Sequence, residues 1–448
     1  MSTVIIGGGI IGISTAYYLS LSLANKTADR RPNHQIHIVD SATELFDCAS
    51  GYAAGFLARN WFAPEIAELG ALSFDLHAQL AADNAGRENW GYVKSTALSL
   101  QVEYTDGQKS ARGDDWLRKG ASRAEVAVRA DERRGDEPDP SPEWLTRQAG
   151  GVVERISDVD GTAQLDPQRL CKFLLARCIE NGVQIHSPSR AISLTKDPSS
   201  NALTGVKLQH LQTNHESTIP CTNLIFAAGA WTPRAFAALF PKSTAHIPVT
   251  TLAGYSLLLR SPRHSLAHEQ EKYGGTAHAV FTTHPRSAGF APESVSRQGG
   301  EIYVAGLNSF TIPLPELAAD AHQIMERKEI DRLRKATVTL FGRLDANAVQ
   351  GDAEGAANID DLETVREALC FRPWTESGRP IVGRVGDHVL GDNIRPVGGV
   401  YMAAGHGPWG ISLSLGTGKV MSELIAGRRT SADVSKLGLE GAVGKAKL

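Results

Sequence analysis

Three observations predict an α/β protein with a second part of different strand pattern. A short β-branched apolar run, Thr3–Ile6, leads straight into a glycine-rich turn and a helix. A second buried-strand pattern, Asn223–Ala227, ends in another small-residue turn. From Ile247 to about Val365 the pattern changes to strands of antiparallel type. We therefore expect an α/β part built on a parallel sheet, together with a discontinuous α+β part built on a mixed or antiparallel sheet.

The first turn carries the spacing G-x-G-x-x-G. Gly7 permits the tight turn, Gly9 lets the backbone approach a pyrophosphate, and Gly12 lets the helix pack closely on the strand. Ile10 and Ile11 lie in the turn just before the helix, whose unpaired N–H groups face a bound anion. The turn predicts a dinucleotide site.

The residues after this turn extend the same pattern. A helix is expected over Ile13–Leu23 and a second strand over Gln35–Val39, which ends at Asp40. An acid in that place accepts hydrogen bonds from an adenosine ribose. The distance from Gly12 exceeds the usual ~20 residues, and the polar stretch Ala24–His34 is the expected insertion. At this point NAD, NADP and FAD all remain open.

Composition bounds the function classes. A length of 448 residues suggests two domains, and a formal charge of −3 gives no case for nucleic acid or for an anionic membrane. No apolar run reaches the ~18 residues that a membrane span needs. The glycine turn begins close to Met1, so no leader peptide is expected. Five scattered cysteines and unclustered histidines predict reduced thiols and no metal site.

Further elements follow from periodicity and turn residues. A charged stretch, 105–143, is expected to be a solvated surface insertion, with a partner-binding surface as the alternative. The remaining elements are helices at Pro167 to about Asn181, Pro315–Leu333 and from Gly410 to about Ile425, and strands at Val183–His186, Ala191–Thr195, Gly205–Leu211, Gly254–Leu259, Ala277–Thr282, Glu301–Leu307 and Val400–Ala404.

The C-terminal tripeptide Ala446-Lys447-Leu448 has the small–basic–leucine form of a peroxisomal tail. It predicts recognition by a peroxisomal import receptor and a peroxisomal location. The alternative is that this tripeptide has no targeting role and that the protein is cytoplasmic.

Five elements in this order resemble the D-amino-acid oxidase, glycine oxidase and sarcosine oxidase superfamily of FAD enzymes. They are the glycine turn, Asp40, the turn AAGAWT at 227–232, the segment CFRPWTESGRPIVG at 370–383 and the segment GHGPWGISLSLGTGK at 405–419. The resemblance implies a Rossmann-type FAD-binding domain over 1–95, 150–243 and 368–448. It implies a substrate domain over 96–149 and 244–367.

The resemblance also implies which residues hold FAD. Asp40 and the glycine turn would hold the adenosine and pyrophosphate. The remaining contacts fall on a segment beside the flavin (Ser50, Gly51, Ala54, Gly55), on residues bracketing the adenine (Ala191, Ile192), on the second turn (Ala228, Gly229, Trp231), on Cys370 and Arg372, and on a loop facing the flavin pyrimidine (Gly405, His406, Gly407, Gly410, Ile411).

Candidate catalytic residues come from the same segments. Arg372 would grip a substrate carboxylate through two parallel charge-assisted bonds, or would hold a structural group instead. His406 would orient the flavin by a hydrogen bond, and Trp409 would either wall the substrate pocket or pack the helix. Cys370 occupies the position of a covalent flavin link in some relatives, although its neighbours resemble the noncovalent members.

The implied reaction is that of an amine or amino-acid oxidase. A hydride would pass from the substrate C–N carbon to flavin N5, giving an imine, and O2 would be reduced to H2O2. Two alternatives remain: an FAD dehydrogenase with another acceptor, and a flavin-binding protein of trafficking or regulatory role with little turnover. The substrate, a small amine or amino acid, is not specified further.

Overall fold

The computed structural model describes residues 1–24, 34–101, 140–146, 151–283, 289–344, 358–391 and 394–442. Its strands are β1 Ser2–Ile6, β2 Gln35–Val39, β3 Phe56–Ala58, β4 Val93–Gln101, β5 Val152–Ser157, β6 Thr162–Gln164, β7 Gln184–His186, β8 Ser189–Lys196, β9 Leu203–His210, β10 Glu216–Pro220, β11 Asn223–Phe226, β12 Val249–Arg260, β13 Ala277–Thr283, β14 Glu293–Arg297, β15 Glu301–Ala305, β16 Asn308–Ser309, β17 Glu363–Thr375, β18 Ile381–Val385 and β19 Gly399–Ala404.

The helices of the described residues alternate with these strands. They are α1 Ile10–Ala24, α2 Pro64–Asp83, α3 Gly86–Trp90, α4 Pro167–Glu180, α5 Thr232–Leu239, α6 Leu266–Tyr273, α7 Arg327–Phe341, α8 Gly410–Ile425 and α9 Leu439–Ala442. Short 3₁₀ turns lie at Gly229–Trp231, Ala318–Ile324, Asp387–Val389, Gly407–Trp409 and Ser435–Leu437.

The first sheet confirms the predicted parallel part of the fold. Its order is β18-β19-β11-β1-β2-β7, and β1 pairs in parallel with both β11 and β2. Val4 and Ile5 are fully buried. The face that carries Ile5 packs against α1, α4 and α8, and the face that carries Val4 packs against strands β8, β9 and β10 and helix α5. The carboxyl ends of β1, β11 and β19 therefore meet at one edge, the place where open α/β sheets bind ligands.

The second sheet is mixed, as the change of pattern after Ile247 predicts. Its main path is β16-β12-β15-β14-β13-β4-β6-β3, with β17 paired to β12 and β5 paired to β4. The β4–β13 pair is parallel, and the β12–β15 and β12–β17 pairs are antiparallel. β17 spans the proposed boundary at residue 368, and the division into two domains stays a prediction. A small antiparallel sheet, β10-β9-β8, completes the described architecture.

One predicted element is wrong. The helix expected over Pro315–Leu333 is a 3₁₀ turn at Ala318–Ile324, an extended break at Met325 and Glu326, and then α7. The Asp320 side chain accepts the N–H of Leu317, and the N–H of Glu326 donates to the Tyr255 hydroxyl oxygen at 3.3 Å. These contacts satisfy backbone groups outside a continuous helix, so tertiary context overrides the helical pattern.

Helix packing brings the last long helix against the first. A Cβ at Gly418 of α8 would lie 2.5 Å from the backbone of Ser14 in α1. This contact requires glycine, and it packs the middle of α8 against the first half of α1. Residues 105–139 of the charged stretch and the tail 446–448 lie outside the described residues. Among the described helices, none has the length and apolar character of a membrane span, and no described cluster of side chains suits a metal ion.

Candidate functional site

A cavity of about 450 Å³ lies at the carboxyl edge of the first sheet, against one face of the second. Volumes of this size are typical of small-molecule and cofactor sites. Of the residues predicted from the sequence, the cavity is lined by Gly7, Gly9, Ile10, Ile11, Asp40, Ser50, Ala54, Gly55, Ala191, Ala228, Gly229, Trp231, Cys370, Arg372, His406, Gly407, Gly410 and Ile411. The structure thus brings together segments from both ends and the middle of the chain.

Five predicted residues do not line the cavity: Gly12, Gly51, Ile192, Gly405 and Trp409. Two of these glycines shape the backbone behind the lining. A Cβ at Gly12 would lie 2.0 Å from the Gly7 carbonyl oxygen, and one at Gly51 would lie 2.2 Å from that of Phe46. The ring of Trp409 packs edge-on against Phe62 at 4.9 Å between centroids, which favours its packing role.

The glycine turn is built for close approach. Gly7 has φ +108°, and a Cβ there would lie 2.4 Å from the Ala227 carbonyl oxygen. The Ser50 hydroxyl accepts the N–H of Ile10 at 3.0 Å, so the 50s segment is joined to the start of α1. Because α1 begins at Ile10, its positive end faces the cavity. This edge suits an anionic group such as a pyrophosphate.

Asp40 is held by the backbone on both carboxylate oxygens. Oδ2 accepts the N–H of Gly8 at 2.6 Å, and Oδ1 accepts the N–H of Ala42 at 2.8 Å. Burial raises the pKa of this carboxyl, and the two hydrogen bonds oppose the rise. Each oxygen retains capacity for a further donor, so the side chain remains able to accept from ribose hydroxyls.

His406 is a buried, uncharged imidazole at the cavity wall. Its Nε2 contacts the Thr417 hydroxyl at 3.1 Å, and its Nδ1 is buried with no hydrogen-bond partner among the described residues. Burial lowers the pKa of His406 to about 3, so the ring is neutral at physiological pH. It can therefore orient a ligand through Nδ1, but it carries no positive charge there.

Two cavity-lining thiols are protonated. Burial raises the pKa of Cys370, while Arg372 and Arg366 oppose the rise. Burial also raises the pKa of Cys48 to about 11. Because the thiolate is the reactive form, neither thiol is activated in this structure. A covalent flavin link at Cys370 stays an untested prediction.

Arg372 presents a guanidinium to the cavity without a carboxylate partner among the described residues. It stands on β17 opposite Leu252, and it lies over Gly254, where a Cβ would be 2.6 Å from Nη2. Nη1 donates to the Asn308 side-chain oxygen. The asparagine fixes the plane of the group and leaves its charge unmatched. This arrangement suits an incoming carboxylate.

Sequence reasoning missed Tyr303, which lines the cavity from β15. The strand itself was predicted, but the alternation of Ile302 and Val304 with Tyr303 and Ala305 does not show which face meets a ligand. Burial raises the pKa of the Tyr303 hydroxyl, with Ser256 as its hydrogen-bond partner. Two charged lining residues, Glu293 and Arg234, were also missed.

A second missed feature is the segment 314–318, here termed the strap. Arg234 donates to the carbonyl oxygens of Pro315 at 2.8 Å and Leu314 at 2.9 Å. Trp231 donates to the same Pro315 oxygen at 3.0 Å, and Arg190 pairs with Glu316 at 2.9 Å. Glu316, Leu317 and Ala318 line the cavity. The strap thus closes one side of the cavity beside Ala191.

Comparisons with known proteins agree with this geometry. The profile of the family described as FAD dependent oxidoreductase (DAO) matches residues 2–424. An oxidoreductase of Schizosaccharomyces pombe is 28% identical over 98% of this chain and 98% of its own. A D-amino acid dehydrogenase of Cereibacter sphaeroides is 23% identical, over 98% of this chain and 95% of the dehydrogenase chain. The crystal structure of glycine oxidase from Geobacillus kaustophilus superposes with a TM-score of 0.67 at 20% identity, covering 98% and 97% of the two chains.

Proposed function

Because the chain belongs to the DAO family of FAD-dependent oxidoreductases, we propose that it oxidises the C–N bond of an amine or amino acid bearing a carboxylate. The observation that carries this proposal is the guanidinium of Arg372, which faces the cavity without an acidic partner among the described residues. An unpaired charge in a partly buried cavity wall destabilises the fold unless a ligand of opposite charge binds beside it.

The residues present fit FAD. The glycine cradle at Gly7, the positive end of α1 and the doubly held Asp40 suit its pyrophosphate and ribose. The unpartnered Nδ1 of His406 offers a further polar contact. When bound, FAD would supply the two-electron acceptor that the side chains of this protein lack.

The chain's own residues would bind and orient the substrate. Arg372 would take the carboxylate in two parallel bonds, and Asn308 would hold the guanidinium in plane. Tyr303 lies on the same face of the sheet and would offer its hydroxyl to the substrate. Fixing the carboxylate sets the direction of the reacting C–H bond, so orientation supplies much of the rate.

The proposed electron acceptor is O2, with H2O2 as the product. The tail Ala446-Lys447-Leu448 supports this choice, since a peroxisomal enzyme that forms peroxide would stand beside catalase. A dehydrogenase with another acceptor is the second candidate, and the relative named D-amino acid dehydrogenase supports it. A flavin-binding protein with little turnover is less well supported, because Arg372 faces an open cavity.

The test is a panel of amino acids, N-methyl amino acids and matched amines without a carboxylate. Purified holoenzyme should reduce its flavin with the carboxylate compounds only. Arg372→Ala should lower kcat/KM for them at least a hundredfold, and Arg372→Lys should restore part of it. Unchanged turnover in Arg372→Ala would contradict the assignment. Fast reoxidation of the reduced protein by air supports the oxidase, and slow reoxidation supports the dehydrogenase.

A further inference from the structure

The face of the second sheet that meets the cavity carries arginines from three strands, β12, β14 and β17. In the register, Arg366 of β17 stands opposite Leu258 of β12, which stands opposite Tyr303 of β15. Tyr303 in turn stands opposite Val295 of β14, two residues before Arg297. Paired residues point to the same side of a sheet and alternate residues along a strand share a side. Arg297, Arg366 and Arg372 therefore share one face, which also carries Arg260 and the carboxylates of Glu293 and Glu301.

Arg297 is almost fully buried yet poorly neutralised. Its side chain is 3% exposed, and its nearest carboxylate oxygen belongs to Asp166 at 3.9 Å. That carboxylate already accepts the N–H of Arg169 at the start of α4. Arg297 donates to the carbonyl oxygens of Ala53 at 2.7 Å and Ala54 at 3.3 Å, and its Nε has no described partner.

Arg366 adds a second positive charge to this face. Its guanidinium lies over the Tyr52 ring at 4.7 Å from the centroid, and its Nη2 is buried without a hydrogen-bond partner. No described carboxylate pairs with it. Two guanidinium groups therefore lie behind Tyr52, Ala53 and Ala54, and the last two of these residues line the cavity.

Buried charges are retained at a cost in stability. Asp166 at 3.9 Å, and Glu301, which stands opposite in the register and also pairs with Arg260 at 3.7 Å, offset the charge of Arg297 in part. Arg366 has no ion-pair partner among the described residues. Two-electron reduction of a flavin develops negative charge on its ring, and fixed positive groups stabilise charge where it develops. We propose that Arg297 and Arg366 supply a fixed positive field behind the flavin and raise its midpoint potential. They act as positioning residues, since the 52–54 segment lies between them and the cavity.

This inference rests on FAD binding alone, so it stands or fails independently of the substrate and of Arg372. The decisive variant is Arg366→Met, because Arg366 makes no hydrogen bond or ion pair in the described structure that the substitution would break. Its midpoint potential should fall by about 30 mV, the equivalent of a tenfold change in a two-electron equilibrium. Sulfite binding to the flavin, measured by absorbance, should weaken in the same direction.

Two further variants separate charge from structure. Arg366→Lys keeps the charge and should restore most of the potential. Arg384→Met removes an exposed arginine that pairs with Asp387 at 2.9 Å, and it should leave the potential unchanged. If the Arg297→Met protein retains FAD, its midpoint potential should fall further than that of the Arg366→Met protein. An Arg366→Met protein that binds FAD fully and keeps the wild-type potential would overturn the proposal.

Discussion

At the scale of single residues, the site depends on positions where only one kind of side chain fits. Gly7 combines a positive φ with a carbonyl oxygen at 2.4 Å from its would-be Cβ, whereas Gly182 has φ +81° with open space around it. His406 and Arg372 both line the cavity but differ in charge. The first is neutral because it is buried, and the second presents its guanidinium to the cavity.

The glycine pair gives a matched test. Gly182→Ala should cost about 1 kcal/mol, the price of a positive φ alone. Gly7→Ala should cost several times more, because β1 and β11 must separate to admit the methyl group, and it should abolish FAD binding. Urea unfolding of the apoproteins and flavin fluorescence measure the two effects. Equal losses in the two variants would show that Gly7 is not sterically constrained.

At the scale of elements, the strap shows how a wrongly predicted helix becomes part of the site. Because the chain is extended up to Leu317 and turns only at Ala318–Ile324, the carbonyl groups of Leu314 and Pro315 remain free to accept from Arg234 and Trp231. A continuous helix from Pro315 would use the Pro315 carbonyl within itself. The break therefore allows residues 314–318 to lie across the cavity.

We expect the strap to control how fast FAD leaves. Arg234→Met removes two donors to the strap and should raise the FAD dissociation rate about tenfold. Glu316→Gln weakens a pair that is half exposed, so its effect should be fivefold or less and should shrink at high salt. Recovery of flavin fluorescence on dilution measures the rates. Rates in both variants equal to that of an Asp387→Asn control would contradict a closing role.

At the scale of the whole molecule, local motifs were predictable and the long-range register was not. The turn at Gly7, the acid at Asp40 and the loop before α8 each depend on neighbours in sequence. Their patterns can therefore be recognised in a single sequence. Tyr303, Arg297 and Arg366 reach the cavity through pairing between β12, β14, β15 and β17. That pairing depends on packing between distant segments, which periodicity alone does not specify.

Acid should destabilise the whole fold through its buried histidines. His77 is 1% exposed, its Nε2 donates to the Ile411 carbonyl oxygen at 3.0 Å, and burial lowers its pKa to about 4. The unfolded chain binds this proton below about pH 6.5. Between pH 6.5 and 4 the unfolded state therefore binds more protons, and stability falls as pH falls.

The matching variant is His77→Gln, which keeps a donor and removes the titration. Its free energy of unfolding should depend less steeply on pH between 6.5 and 4, by up to about 1.4 kcal/mol per pH unit. Urea denaturation at four pH values measures the slope. The control His215→Gln alters an exposed histidine and should leave the slope unchanged. Identical slopes in His77→Gln and wild type would show that groups other than His77 cause the acid sensitivity.

The alternation of side chains along strand β17 limits where the chain can gain or lose a residue. Arg366, Cys370 and Arg372 share one side of it, and Leu369 and Phe371 between them lie on the other side and belong to a hydrophobic core. A register irregularity at Leu258 and Leu259 takes up the extra residue Val365 just before this run. Insertions before Arg366 can be absorbed there. One residue gained or lost after it would exchange the two sides of the strand, so we expect this run to tolerate substitutions better than insertions or deletions.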